Sequence, residues 1–142
     1  MPLFKDADDV YANLGRFLQQ FAADPELSPA LKRAETSFQL RMRHPDSIVT
    51  VGAPSEDQPV QVDLGETSLQ PEVVLQMDTD VAHRFWLGEV NVAVALAKGD
   101  IRARGPAAKV LSIVPLVKPG IARYRAQLEA DGRADLLGGV AS

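Results

Sequence analysis

The 142-residue chain has no cysteine, which excludes a disulfide scaffold, thiolate zinc or iron–sulfur ligation and any cysteine nucleophile. Its only histidines are His44 and His83, so two imidazoles at most are on hand for a metal or a triad. Long hydrophobic runs are missing too. The longest uncharged apolar segments, Val90 to Ala97 and Val110 to Val117, are eight residues each, far short of the roughly 18–20 needed to span a bilayer. Positive charge is in deficit, with 15 Lys and Arg against 19 Asp and Glu, which argues against a nucleic-acid partner because phosphate neutralisation needs clustered cations. The first residues turn acidic at Asp6, Asp8 and Asp9, where a secretory signal would carry its apolar stretch. That predicts a chain that stays in the cytoplasm.

What is present is an ordinary apolar share, 46%, in a chain whose length fits one domain over residues 1–142. Residues 1–33 read as an N-terminal helical segment. Val10, Leu14, Phe17, Leu18 and Phe21 recur at helical spacing, and Asp6 or Asp8 can cap that helix, from about Asp6 to Ala23. Asp24-Pro25 stops it. From Thr36 the period switches to two: Phe38, Leu40 and Met42 alternate with Gln39, Arg41 and Arg43. Val60, Val62, Leu64 and then Val73, Leu75, Met77 repeat the pattern, and Ser47 to Val51 with Ile101 to Arg104 complete five candidate strands. Breaker clusters at His44-Pro45-Asp46, Pro54-Ser55-Glu56-Asp57 and Gly65-Glu66-Thr67 separate them. One sheet face should meet a core and the other water. The fold class is therefore α+β, a two-layer sandwich.

After Met77 the sequence predicts a helix capped by Asp78 or Thr79, with Val81 and Phe85 inward and Gly88 at its end. Val90 to Ala97 is apolar nearly all round, which as a helix should be buried on more than one side, and Gly99 closes it. Gly105-Pro106 starts another apolar helix that Pro115 should break or kink. A further amphipathic helix covers about Pro119 to Ala130, so residues 118–142 form a C-terminal helical extension.

Polar chemistry is sparse. His44 lies in a turn, and His83 follows Asp80 by three residues on a helix, a pair short of the three or four ligands a zinc site wants. The acid pairs Asp8/Asp9, Glu56/Asp57 and Asp78/Asp80 fall in caps and turns, where dipoles and turn chemistry account for them. No glycine-rich loop has phosphate-binding spacing. These observations predict no enzyme, no metal and no cofactor. The informative feature is instead an excess of apolar surface on consecutive helices, for which a wide core, a second subunit or a lipid-like ligand all remain open. From Arg84 to Arg125 eight Lys and Arg face two acids, which suits an anionic amphiphile or a transient contact with an anionic membrane surface.

The stretch Val73 to Gly105 resembles the sterol carrier protein type 2 lipid-binding domain family. An extended strand leads to an Asp78-capped helix ending Phe85-Trp86-Leu87-Gly88. Gly88 and Gly99 then bound ten residues, Gly99 and Gly105 bound five, and the helix Ala107-Ala108-Lys109-Val110-Leu111 follows. With the preceding strands the similarity covers about Ala34 to Val117. The resemblance implies a five-stranded, mainly antiparallel sheet covered on one face by helices and enclosing an apolar tunnel for a sterol, fatty acid or fatty acyl-CoA, without catalysis. Ligand contacts are expected from Phe38, Leu40, Met42, Leu75, Met77, Phe85, Val90, Val94, Val110, Leu111, Val114 and Leu116. An anionic headgroup would meet Arg84, Lys98, Lys109 or Lys118. The alternative is a structural or dimerisation module whose apolar helices a partner chain buries, with a homodimer the simplest form.

Overall fold

A computed structural model describes residues 3–26, 28–34, 36–52 and 59–138. The expected turn Pro54-Ser55-Glu56-Asp57 lies outside the described residues. The N-terminal stripe folds as α1 (Ala7–Val10) and α2 (Arg16–Ala23), joined by a π-helical stretch over Tyr11–Gly15. Asp6 caps it, its carboxylate accepting from the Asp9 N–H at 2.8 Å, one of the donors a helix start leaves unpaired. Val10, Leu14, Phe17, Leu18 and Phe21 are all buried. A short α3 (Ser28–Ala34) follows.

Five strands then appear in the expected places: β1 (Phe38–Arg43), β2 (Ser47–Gly52), β3 (Gln61–Leu64), β4 (Val73–Asp78) and β5 (Ile101–Arg104). Their order in the sheet is β3-β2-β1-β4-β5. Three neighbouring pairs are antiparallel and β1 with β4 is parallel. A hairpin meander can only give antiparallel neighbours, so the parallel pair requires the chain to return past β2 and β1 before entering β4. The predicted register holds: Phe38, Leu40, Met42, Val73, Leu75 and Met77 are buried, while Arg41 and Arg43 are exposed. A slip of one residue would have reversed every one of these.

Helix α4 (Thr79–Trp86) lies over β1 and β4. Asp78 occupies its N-cap position but makes no capping hydrogen bond. Its carboxylate instead meets His44 Nδ1 at 3.2 Å, and the Thr79 hydroxyl donates to the Arg43 and Pro45 carbonyls. The three glycines each take a backbone that L side chains avoid, with φ of 78° at Gly88, 80° at Gly99 and 123° at Gly105. At Gly105 a Cβ would also stand 2.5 Å from the Glu72 carbonyl oxygen. Spacing of the three thus records where the chain must reverse.

Two expectations need correcting: burial of the Val90 to Ala97 helix on more than one side, and a break at Pro115. The apolar Val90 to Ala97 segment forms α5 (Val92–Lys98), capped by Asn91, but of its residues only Ala95 is buried; it lies along the edge strand β5 with its other faces in water. Pro115 does not end the next helix, α6 (Ala107–Ala130), which runs through both Pro115 and Pro119. The reason is tertiary. Ile113, Gly120, Tyr124, Gln127 and Leu128 form one buried stripe that docks on α2, α3 and α4, and the two prolines fall on the opposite, exposed side. There the carbonyls left without an N–H partner are open to water, which removes much of the cost of interior proline. A last turn, α7 (Asp135–Gly138), closes on α6.

Candidate functional site

The inner sheet face is an apolar floor built row by row. Phe38 stands between Val51 and Val73, and Leu40 between Val49 and Leu75; Met42 lies beside Met77. Over this floor the helices set an aromatic layer. Trp86 meets Phe17, Phe21 and Phe85 with ring centroids 5.5, 6.1 and 5.4 Å away, and Phe17 meets Tyr124 at 4.7 Å. Gly120 makes this approach possible, because a Cβ there would come within 2.9 Å of Phe21 and 3.0 Å of Phe17. Trp86 is 1% exposed, yet its indole N–H has no acceptor among the described residues. A buried donor without a partner is uncommon in an interior of this kind.

His83 behaves as a core bolt rather than a ligand. Its Nε2 lies 2.7 Å from the Leu136 carbonyl and its Nδ1 2.7 Å from the Tyr124 hydroxyl. A carbonyl can only accept, so Nε2 carries the proton and Tyr124 donates to Nδ1. Burial pushes the imidazole below its ordinary range and the Tyr124 phenol above its own. The trio ties α4, α6 and α7 together. His44 is far more exposed, and no three His, Asp or Glu side chains converge as a metal site among the described residues.

The expected contact residues divide into two sets. Phe38, Leu40, Met42, Leu75, Met77 and Phe85 are buried in the hydrophobic core cluster, and Val90 and Val110 are half-buried against it. Val94, Leu111 and Val114 stand in water, 49%, 62% and 37% exposed. The side chain of Leu116 lies outside the described residues. Of the expected headgroup cations, Lys109 reaches Glu72 at 3.6 Å, whereas Arg84, Lys98 and Lys118 are exposed.

Residues not foreseen as site residues line a cleft of about 420 Å³ between α2 and α6. Phe17 and Phe21 supply its apolar wall, and ion pairs Arg16–Asp131 and Arg123–Asp24 span the same two helices. The Gln127 side chain donates to the Asn13 carbonyl at 2.8 Å, while its Oε1 and the Arg16 Nε are buried without partners among the described residues. The helical stripe of Phe17 and Phe21 was visible in the sequence. That α6 would lie beside it was hidden by the expectation of a break at Pro115.

An open five-stranded sheet in the order β3-β2-β1-β4-β5, with helices packed on one face, defines an α+β sandwich of a known type. It is the sterol carrier protein 2 fold. The chain is similar to "Sterol Carrier Protein 2 from Yarrowia Lipolytica (apo form)", with 14% identity, 72% of this chain and 85% of that chain covered, and a TM-score of 0.57. It matches a "UbiJ-SCP2 Ubiquinone synthesis protein" at 17% identity over 78% of this chain and 95% of that one, TM-score 0.57. The solution structure of palmitated SCP2L2 from Aedes aegypti matches at 17% identity over 74% and 94%, TM-score 0.51. No family model and no curated protein matches the chain.

Proposed function

We propose that the chain is a non-enzymatic binding domain for an apolar lipid, such as a sterol, fatty acid or fatty acyl-CoA, held in a tunnel on the helical side of the sheet and passed on by transfer. The observation that carries this reading is the pairing of a sterol carrier fold with apolar side chains left in water. Val94 lies on α5, which packs on the edge strand β5, and Leu111 and Val114 lie on α6, which starts three residues past the end of that strand. Single exposed apolar residues are common, but three on helices that follow one another in the chain of a small domain leave apolar area for a ligand to cover. An acyl chain or sterol suits it, since each methylene removed from water contributes about 0.8 kcal/mol without any directed polar contact. The Aedes aegypti structure, of the same fold, is described as palmitated, which supports the same ligand class. The unpartnered Trp86 N–H would take a ligand oxygen that reaches the core.

The test is displacement of a fluorescent fatty acid from the purified chain and from Leu111→Ser and Val94→Ser variants. Both substituted positions are largely exposed, so the variants should melt as the parent does. Binding should weaken about fourfold or more per variant, the worth of roughly one methylene or more. If no fatty acid, acyl-CoA or sterol displaces the probe at tens of micromolar, the lipid reading fails. A concentration-dependent dimer that the same substitutions dissolve would then assign this surface to a second copy of the chain.

A further inference from the structure

The other face of the sheet carries an unassigned basic cleft of about 410 Å³. Arg41 on β1 and Arg102 on β5 both stand opposite Gln76 on β4. Two strand spacings separate them, about 10 Å at the backbone, a distance from which two guanidinium groups can close on one anion above the Gln76 amide. Arg43 lines the same cleft one row away, and Asp46 and Asp100 form part of its wall. All three arginines are exposed, and none has an ion pair among the described residues. Arg102 is on an edge strand, where a charge discourages sheet-to-sheet pairing. Arg41 is on the central strand β1, where that explanation does not apply.

We infer that this cleft binds a phosphate monoester carried on a small hydroxylated group. Three guanidiniums against two carboxylates favour one compact anion, and guanidinium groups match phosphate oxygens in geometry as well as charge. The two carboxylates accept hydrogen bonds from hydroxyls and repel further phosphates. A monophosphate is therefore preferred over a diphosphate. The volume fits a ligand of that size. A free sugar or glycerol phosphate and the headgroup of a phosphomonoester lipid share this chemistry. The inference is independent of the apolar ligand on the opposite face.

Amide chemical shifts of the full chain, followed during titration, separate the possibilities. Glycerol 3-phosphate should move residues 41, 43, 76 and 102, whereas glycerol should not. In Arg41→Gln/Arg102→Gln the affinity should fall tenfold or more, about the worth of one charge-assisted contact. Arg104→Gln, which removes one charge from the same face outside the cleft where the double variant removes two, should alter it less than about twofold. A second arm uses phosphatidylcholine vesicles with phosphatidic acid or with phosphatidylglycerol. Preference for phosphatidic acid that depends on Arg41 and Arg102 would identify a lipid headgroup as the source, and soluble binding alone a free metabolite. The shift map of the unsubstituted chain stands even if the double variant melts early. No shifts at these residues in either arm, or equal losses in Arg104→Gln and the double variant, would overturn the inference.

Discussion

Replacing Tyr124 by phenylalanine removes one oxygen from the centre of the molecule and leaves the ring. Tyr124 is fully buried, and its hydroxyl donates to His83 Nδ1 at 2.7 Å, while His83 Nε2 is committed to the Leu136 carbonyl. The variant retains the contact with Phe17 but leaves an imidazole nitrogen buried with no donor. Such an orphan costs about 1–3 kcal/mol. For a chain of 142 residues the unfolding entropy converts each kcal/mol to about 3 °C, so thermal denaturation should begin roughly 3–10 °C lower. A pH dependence accompanies it. Burial holds the folded-state imidazole below its ordinary range of 6.5, so the unfolded chain binds the proton more tightly. Stability contributed by neutral His83 is present above about pH 6.5 and is lost as pH falls below it, at no more than about 1.4 kcal/mol per unit. Calorimetry at neutral pH and at about pH 5.5 measures both effects. A Tyr124→Phe protein melting with the parent, or a parent equally stable at both pH values, would refute the assigned tautomer and the bond.

Other outcomes follow from the same geometry. Gly99→Ala should cost about 1–2 kcal/mol, the strain of a left-handed backbone alone, because nothing among the described residues lies within 4 Å of the new methyl. Gly105→Ala, whose methyl meets the Glu72 carbonyl, should cost distinctly more; urea denaturation of the pair compares them. Gly88→Ala adds a methyl 2.6 Å from Ile121 Cδ1 at φ 78°, and chemical denaturation should place it between the other two, since a side-chain end can move. Arg133→Ala removes the partner of Asp9, 2.9 Å away. Burial alone would raise the Asp9 carboxyl, but the Arg133 guanidinium and the Lys5 N–H outweigh it and hold it below the ordinary range. That contribution is present above about pH 4 and is lost as pH falls through the folded value. The variant should lose about 1–3 kcal/mol at neutral pH and little of it in acid, as thermal melts across pH would show.

The strands were legible because one face of each is apolar: a period of two fixes both the element and its inward side, as Phe38, Leu40 and Met42 illustrate. Glycines at 88, 99 and 105 were equally readable, since a left-handed turn leaves few other choices. The parallel pairing of β1 with β4 was not, and so the meeting of Arg41 and Arg102 across Gln76 was out of reach. Local rules also misjudged the helices. Pro115 argued for a break, but docking of the Ile113-to-Leu128 stripe decided the outcome. The apolar content of α5 argued for burial on several sides, whereas one edge strand covers only Ala95's side. His83 and Tyr124 lie 41 residues apart, and no local pattern connects them.

Native mass spectrometry of the freshly purified full chain reads a bound lipid as added mass. A population heavier than the bare chain by the mass of one fatty acid, acyl-CoA or sterol is expected. Delipidation should remove that mass and added fatty acid restore it at a ratio of one to one. A chain that runs bare after gentle purification, and stays bare with excess fatty acid, acyl-CoA and sterol, would contradict the lipid-binding account.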